Sequence, residues 1–249
     1  MLKEERFSHI LTSLRKKGKV VFDTLSAELN VSEDTIRRDI ESLHKNGLLL
    51  KVRGGAIPQS KNPLNFRDRA EYFSDEKSII GLKAQQFIKK GQTVFMDGGT
   101  TMLSIANHLS ADASFRLITN NMSLVPIMSK LKGVELIILG GMYDRTLEVN
   151  TGLQVSTEAG KYIADVYFMG TCAADKDFGI TAAFQSDGEI KQIMLKNALK
   201  TFAIGNSTKL NSIEHYKICE LSELTGLISD LSPDHADLDH FRDLGLLLV

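Results

Sequence analysis

The chain of 249 residues has little that would indicate a secreted or membrane protein. Its two cysteines, Cys172 and Cys219, lie far apart in the sequence, which favours reduced thiols over a disulfide. No apolar run approaches the length of a membrane span. The first residues, MLKEER, do not resemble a signal peptide. We therefore expect a cytoplasmic protein with no membrane partner.

Patterns that would bind a metal or a cofactor are also absent from the sequence. The six histidines form no HExxH or paired pattern, and the two cysteines lie outside any metal-ligand spacing. No internal repeat or low-complexity tract interrupts a composition that is ordinary for a globular protein, with 43% hydrophobic and 24% charged residues. This length leaves room for one small and one medium domain.

The charge is distributed unevenly along the chain. Residues 1–56 carry 11 basic and 8 acidic side chains, a balance of +3, whereas residues 57–249 carry 19 and 23, a balance of −4. A local excess of basic charge in an otherwise acidic protein favours contact between the N-terminal segment and a nucleic acid.

Residues 23–47 have the pattern of a helix–turn–helix. Two short helices are predicted, with a turn at Asn30-Val31 and with Ser32 as the N-cap of the second helix. The inner face of that helix carries Ile36, Ile40 and Leu43 at i, i+4 and i+7. Three other side chains therefore point outward near its N-terminus, namely Thr35, Arg37 and Arg38.

A helix with this outer face suits the major groove of DNA. Arginine pairs with guanine through two hydrogen bonds, and a helix N-terminus attracts phosphate. The following LLLKVRGGA predicts a short strand and a glycine turn, which together would form a wing. The predicted DNA-binding residues are Ser32, Thr35, Arg37, Arg38, Lys51 and Arg53. The alternative is a purely structural helix–turn–helix whose two arginines are simply solvated.

These residues resemble the N-terminal signature of the DeoR family of bacterial transcriptional regulators. The resemblance covers about the first 56 residues, in ERFSHIL and VSEDTIRRDIESLHKNGLLLKVRGGA. It implies a DNA-binding repressor with a C-terminal domain that senses a sugar phosphate. We accordingly assign residues 1–57 to a winged helix-turn-helix domain, 58–74 to a linker and 75–249 to an effector-binding sensor domain.

The sensor region alternates short apolar strands with helices. Strands are predicted at 93–97, 116–119, 134–139, 165–170 and 201–205, with one or two more after residue 224. This alternation is typical of an α/β fold with a parallel sheet covered on both faces. In such folds, ligands bind beyond the carboxyl ends of the strands, where this chain has small and polar residues.

The loop Asp97-Gly98-Gly99-Thr100-Thr101 is the most informative of these strand ends. Two glycines allow the backbone to approach an anion, the threonines add hydroxyl donors, and the following helix points its N-terminus at the site. Asp97 would accept hydrogen bonds from sugar hydroxyls. Lys191 and Lys209 could each supply a charge to a phosphate, although a lone lysine is usually a surface residue. The alternative is a glycine turn with no ligand.

The same region resembles the sensor domain of the DeoR family, whose fold is similar to sugar-phosphate isomerases and coenzyme A transferases. The resemblance implies an effector site lined by Asp97, Gly99, Thr100, Thr101, Asn120, Gly141, Glu189, Lys191 and Lys209. We add Gly98 to this set because it belongs to the same glycine loop. The chain departs from the family pattern at Thr171-Cys172-Ala173-Ala174, at Asn206 and at residues 148–152.

The expected function is a repressor of a carbohydrate-metabolism operon whose DNA affinity is set by a phosphorylated sugar. A homodimer or homotetramer would place two recognition helices on an inverted repeat of double-stranded DNA. One alternative is an isomerase-like enzyme with Asp97 or Glu189 as general base and Lys191 near the phosphate. Another is a regulator that responds to a different ligand or that activates transcription.

Overall fold

A computed structural model describes residues 2–17, 20–46, 48–52, 54–57 and 66–249. The chain divides into two compact units, Met1–Pro63 and Leu64–Val249. Gly47, the last residue of the predicted helix–turn–helix, and Arg53 of the predicted wing lie outside the described residues. No helix within the described ranges is long and apolar enough to cross a membrane.

The first unit is a winged helix-turn-helix. Its elements, in chain order, are α1 (Lys3–Lys17), β1 (Val20–Val21), α2 (Phe22–Leu29), α3 (Glu33–Lys45), β2 (Leu50–Val52) and β3 (Gly55–Ile57). The three strands form an antiparallel sheet in the order β1-β3-β2. The predicted turn is observed at Asn30, whose φ of 50° lies in the left-handed region that asparagine tolerates.

The core of this unit is formed by one face of each helix. Ile36 and Ile40 of α3 are fully buried, and they pack with Ile10 of α1 and Leu25 of α2. The turn is closed by the Ser26 hydroxyl, which donates to the Val31 carbonyl at 2.7 Å. The 3.6-residue period of α3 therefore fixes which of its side chains remain outside.

The second unit alternates helices and strands. Its first elements are α4 (Phe66–Glu71), α5 (Ser74–Gln85), β4 (Thr93–Met96), α6 (Thr100–Asn107), β5 (Ser114–Thr119) and α7 (Val125–Met128). The next elements are β6 (Gly133–Ile138), β7 (Met142–Asp144), β8 (Val149–Thr151), α8 (Leu153–Ala159), β9 (Val166–Gly170), β10 (Ala173–Asp175) and β11 (Gly179–Ala182). The last are α9 (Gln185–Lys196), β12 (Thr201–Ile204), β13 (Tyr216–Cys219), β14 (Gly226–Ile228), α10 (Asp239–Arg242) and β15 (Leu247–Leu248).

A seven-stranded parallel sheet forms the centre of the second unit, in the order β15-β14-β12-β9-β4-β5-β6. Alternate residues of each strand face opposite apolar layers, so that Phe95 and Tyr167 contribute to one layer and Val94 and Phe168 to the other. All the strands predicted from apolar runs belong to this sheet. The α/β fold with helices on both faces is thereby confirmed.

Two small antiparallel elements were not predicted. Strands β10, β11 and β13 form a separate three-stranded sheet, and β7 pairs with β8 as a hairpin. Their strands have three or four residues each, too few to show a clear alternation of apolar and polar positions.

The stretch predicted as a linker, 58–74, is partly helical. It contains α4 and the start of α5, and Phe66 is buried, with its amide donating to the Thr146 carbonyl at 2.9 Å. Residues 58–65 lie outside the described residues.

Candidate functional site

The N-terminus of α3 is capped by Ser32. Its Oγ accepts a hydrogen bond from the Thr35 amide at 3.2 Å and lies 2.9 Å from the Thr35 hydroxyl. This cap satisfies one of the free amides of the first helical turn and leaves both hydroxyl side chains at the leading end of the helix. Ser32 is exposed and Thr35 is half-buried.

Arg37 and Arg38 both lie on the exposed face of α3, but in different surroundings. The Arg37 guanidinium stacks 4.6 Å from the Phe22 ring centroid and lies 3.2 Å from the Glu33 carboxylate. Arg38 is 2.7 Å from the Asp34 carboxylate, and its side chain is 81% exposed. Exposed pairs of this kind are weak, so neither carboxylate holds its arginine firmly.

A groove of about 390 Å³ runs beside these arginines. Its lining residues are Arg37, Arg38, Glu41, Ser42, Lys45 and Lys51. Lys51 of β2 lies 2.6 Å from Glu41 of α3, and this ammonium lowers the pKa of Glu41. The structure thus places the predicted Lys51 on the same surface as the predicted residues of α3.

A buried ion pair holds α3 against α1. Asp39, only 3% exposed, accepts from Arg6 Nε at 2.6 Å and from Arg6 Nη2 at 3.2 Å. The two parallel hydrogen bonds fix the orientation of α3 next to the residues that face outward. No local pattern in the sequence marks Arg6, because α1 and α3 are brought together only by the packed core.

In the second unit, Asp97 lies at the centre of a buried polar cluster. Its fully buried carboxylate accepts from Lys191 Nζ at 2.6 Å, from the Tyr167 hydroxyl at 2.5 Å and from the Gly170 amide at 3.0 Å. Asp187, one turn before Lys191 on α9, lies 3.3 Å from the same ammonium. The cluster therefore joins the ends of two strands to α9.

This cluster places one ammonium between two carboxylates inside the protein. Burial raises the pKa of Asp97 to about 6, although Lys191 opposes this change. Burial disfavours the charged form of Lys191, but the carboxylates of Asp187 and Asp97 outweigh burial and raise its pKa. Lys191 is thus a buried cation paired with two carboxylates, and only 1% of its side chain is exposed.

The glycine loop follows Asp97 directly. Gly99 has a φ of 127°, and α6 begins at Thr100, within the loop itself. A Cβ at Gly98 would approach Val149 Cγ1 to 2.7 Å, so the close packing of this loop requires glycine there. The Thr100 hydroxyl donates to the Arg69 carbonyl at 3.4 Å. The loop therefore presents the N-terminus of α6 beside α4.

Asn120 and Asn121 follow the neighbouring strand β5. Asn121 Nδ2 donates to the Asp97 and Gly99 carbonyls at 3.2 Å each, which holds the loop in place. Met96 and Thr119 are partners in the parallel register, so Asn120 occupies the position beside Asp97. Its amide nitrogen donates to the Asn150 carbonyl, but its buried Oδ1 has no hydrogen-bond partner among the described residues.

The other predicted effector residues, Glu189, Gly141 and Lys209, lie in three different environments. Glu189 is exposed, and its carboxylate accepts from Gln185 at 2.7 Å. It lies two positions from both Asp187 and Lys191, about 200° around the helix, so it faces away from their cluster, and its role in the effector site stays a prediction. Gly141, with a φ of 149°, lies against Val155 of α8. Lys209 is half-buried beside Gly205.

Two basic residues near this loop were not predicted. Lys77 of α5 donates from Nζ to the Arg69 carbonyl and, at 2.5 Å, to the Tyr72 carbonyl. Burial, with the positive charges of Lys209 and Arg69, lowers the pKa of Lys77 to about 8. Arg69 belongs to the stretch predicted as a linker, and no motif at Lys77 distinguishes it from a surface lysine.

Neither cysteine forms a disulfide, and Cys219 is buried. Burial raises the pKa of both thiols, to about 12 for Cys219. Within the ranges that the structure describes, no group of three or more histidine, cysteine, aspartate or glutamate side chains could hold a metal ion.

Two protein families match this chain. Residues 6–62 match the DeoR-like helix-turn-helix domain, and residues 73–231 match the DeoR C terminal sensor domain. The two matches together include α3 and the buried Asp97 cluster.

The chain is also similar to several curated proteins along most of its length. It is 32% identical to the HTH-type transcriptional repressor GlcR of Bacillus subtilis, over 100% of this chain and 96% of that protein. It is 30% identical to the lactose phosphotransferase system repressor of Lactococcus lactis, with 95% of each chain covered.

Solved structures with a similar arrangement have much lower identity. Ribose 5-phosphate isomerase A from Methanocaldococcus jannaschii is 13% identical, with 55% of this chain and 54% of that chain covered and a TM-score of 0.41. The eIF2B delta subunit of Chaetomium thermophilum is 15% identical, with 65% and 58% covered and a TM-score of 0.47.

Proposed function

Because the chain belongs to the DeoR family of transcriptional regulators, we propose that it represses a carbohydrate-metabolism operon under the control of a phosphorylated sugar. The DNA-binding part of this proposal rests on the outer face of α3. Its two arginines and a neighbouring lysine of β2 line one groove, and its N-terminus is capped by Ser32. This arrangement supports a recognition helix in the major groove.

The proposed DNA contacts differ in kind. Arg38 is exposed enough to reach a base edge, whereas Ser32, Thr35 and Lys51 suit phosphate contacts. Arg37 and the predicted Arg53 complete the set. A homodimer or homotetramer would place two such helices about one DNA turn apart on an inverted repeat.

Relatives support the repressor role and the metabolic context. The names of two of them describe a transcriptional repressor and a repressor of a lactose phosphotransferase system, and a third, 27% identical over 98% of this chain, is a putative aga operon transcriptional repressor. We therefore expect this chain to repress genes of carbohydrate uptake or breakdown.

The effector site would lie at the glycine loop of the second unit. Gly98, Gly99, Thr100 and Thr101 offer backbone amides and hydroxyls to a phosphate at the N-terminus of α6. Asn120 and Gly141 follow the two strands next along the sheet, and Lys209 would contribute charge. Asp97 and Lys191 would stabilise the loop from the protein interior rather than contact the ligand, because their charged groups are already paired with each other.

The same pairing argues against an isomerase-like reaction. A general base must come within hydrogen-bond reach of the substrate's proton, yet both Asp97 oxygens accept hydrogen bonds from buried donors. Glu189, the other candidate base, is exposed on the opposite side of α9. We expect no turnover of pentose or hexose phosphates in a direct assay, and measurable conversion would contradict the assignment as a regulator.

Thermal-shift screening against a panel of sugar phosphates tests the effector class. A ligand that binds only the native state raises the apparent stability, by about 2.7 kcal/mol at a hundred times its Kd. Binding to the protein's own promoter fragment, measured with and without the stabilising sugar phosphate, then tests control of DNA affinity. The proposal fails if the protein shows no sequence preference on that fragment in either condition.

A further inference from the structure

Helix α5 carries apolar side chains on two opposite sides. Its inner side is buried, and Ile80 and Ala84 belong to the same apolar layer as Ile105 of α6. On its outer side, Ile79 and Leu82 are 42% and 53% exposed. A helix that is apolar on both sides is normally covered on both, so the outer side of α5 indicates a contact with another surface.

The two flanks of α5 are occupied by the sensor unit itself. On one flank, the Ser78 hydroxyl lies 3.2 Å from Nε2 of His108, at the end of α6. On the other flank, Lys83 Nζ donates to the carbonyls of Ser229 and Leu231 at 2.8 and 2.7 Å. These contacts hold α5 rigidly and leave its outer side facing away from the sheet.

The outer side of α5 is a narrow stripe of four exposed residues, namely Asp75, Ile79, Leu82 and Gln86. At 100° per residue, they lie within about 60° of one another around the helix axis. Gln86 belongs to the stripe because its backbone is still helical, with a φ of −64° and a ψ of −18°. We call these four residues the α5 stripe.

The order of residues in the α5 stripe is complementary to itself. When a second copy packs antiparallel on a two-fold axis through the middle of the helix, Ile79 meets Leu82 of the partner subunit. Asp75 then meets Gln86 of the partner subunit, and the symmetry makes each contact occur twice. The centre of such a contact is apolar and its ends are polar, as in protein interfaces generally.

The polar ends of the stripe match as donor and acceptor. A side-chain amide has two N–H groups, and Nε2 of Gln86 uses one of them to donate to the Lys83 carbonyl at 2.7 Å. The other can donate to the exposed carboxylate of Asp75 in a second copy.

Charge also selects the antiparallel arrangement. The first turn of α5 carries the acidic Asp75 and Glu76, and the basic Lys89 and Lys90 follow its end, where both are exposed. Antiparallel copies place the acidic end of each helix beside the basic end of the other, and the two helix dipoles oppose each other. Parallel copies would instead bring like charges together.

We propose that the α5 stripe is the surface through which two copies of this chain form a two-fold dimer. This inference rests on the proposed function, since an inverted repeat requires two linked DNA-binding units. The chain enters the sensor unit at Leu64, ten residues before α5 begins, so the contact lies close in sequence to the junction of the two units.

The dimer should be weak in the absence of DNA. The stripe offers two apolar side chains per copy, whereas stable interfaces bury about 1,200–2,000 Å² in total. Two copies bound to adjacent half-sites have a high effective concentration for each other, so the same contact would make operator binding cooperative.

Sedimentation velocity on the full-length protein at micromolar concentrations tests the surface. We expect the wild type to dimerise, and the variant Ile79→Glu/Leu82→Glu to dimerise at least about tenfold more weakly, because the symmetry buries each new carboxylate twice. The control Leu153→Glu/Ile163→Glu makes the same charge change at side chains that are 84% and 72% exposed. It should dimerise as the wild type does. A monomeric wild type, or a control weakened as much as the α5 variant, would overturn the proposal.

A charge exchange between the ends of the stripe tests the antiparallel register. Gln86→Glu sets a carboxylate against Asp75 of the partner subunit, and Asp75→Lys sets an ammonium near the basic end, so each should weaken dimerisation. The double variant Asp75→Lys/Gln86→Glu brings opposite charges together across the axis and should restore it. Additive weakening in the double variant would contradict this register.

Restoration in the double variant would require a contact between two chains. Within one chain, positions 75 and 86 are eleven residues apart on the helix, which is about 16 Å. This exceeds the Debye length of about 8 Å at physiological salt, so the two charges interact little inside one copy.

Binding to the protein's own promoter fragment separates this inference from the proposed function. If the wild type prefers that fragment and Ile79→Glu/Leu82→Glu binds it at least about tenfold more weakly, both are supported. If the variant binds it as tightly as the wild type does, the α5 dimer is refuted and the proposed function stands. If the wild type shows no preference for the fragment but dimerises through α5, the proposed function fails and the dimer surface stands.

Discussion

The ammonium of Lys191 lies 2.6 Å from the carboxylate of Asp97, and both groups are buried although 94 residues separate them in the chain. This pair joins α9 to the end of the strand that carries the glycine loop. The charged groups of Lys191 and Asp97 therefore bind each other and stabilise the loop from the protein interior instead of facing a ligand.

Replacing Lys191 with methionine should strongly destabilise the protein. The substitution leaves Asp97 and Asp187 buried without a counter-ion, and breaking a buried pair in this way costs about 3–5 kcal/mol. Denaturant unfolding followed by circular dichroism would measure the loss. Lys196→Met, on the exposed face of the same helix, is the control and should change stability by less than about 0.5 kcal/mol.

Gly99→Ala tests the loop conformation. A φ of 127° is unfavourable for alanine even though nothing lies within 4 Å of the added Cβ, so we expect a loss of about 1–3 kcal/mol in unfolding free energy. Gly152→Ala is a matched control, with a φ of 99° and equally open space. Both variants should lose stability, but only Gly99→Ala should weaken phosphate binding. A similar loss of phosphate binding in both would remove the loop from the proposed site.

Arg38→Ala should reduce sequence-specific DNA binding. If Arg38 contacts a base, its removal costs about 1–3 kcal/mol on the operator and relaxes the preference for that base pair. Fluorescence anisotropy with operator and scrambled duplexes at several salt concentrations would separate base from phosphate contacts. Arg116→Ala, which removes an exposed arginine paired with Glu135 in the second unit, should leave both affinities unchanged. Unchanged operator affinity for Arg38→Ala would contradict its assignment to the recognition surface.

Arg6→Ala should destabilise the first unit through Asp39. The carboxylate is 3% exposed and would lose both hydrogen bonds, which costs about 3 kcal/mol or more. Arg38→Ala breaks the exposed pair with Asp34 and should have little effect on unfolding, because such pairs contribute at most about 1 kcal/mol. The two variants would therefore separate stability from DNA contact, and equal unfolding free energies would show that the Arg6–Asp39 pair contributes nothing.

Much of this protein follows from local patterns in its sequence. The period of Ile36, Ile40 and Leu43 determined which side of α3 is buried, and therefore which arginines are exposed. The short apolar runs determined the strands of the parallel sheet, because a strand covered on both faces must be apolar throughout. The glycines after Asp97 marked the loop at a strand end, where backbone must approach closely.

The tertiary structure decided which charged groups remain available to bind a ligand. Lys191 and Glu189 are both charged residues two positions apart, yet α9 directs Lys191 into the buried Asp97 cluster and Glu189 to the surface. The pairs Lys191–Asp97 and Arg6–Asp39 join residues distant in sequence, and α4 occupies a stretch whose composition indicated a linker. No local pattern encodes such pairings, because a side chain's partner, and with it the charge that remains for a ligand, is set by the packing of distant segments against one another.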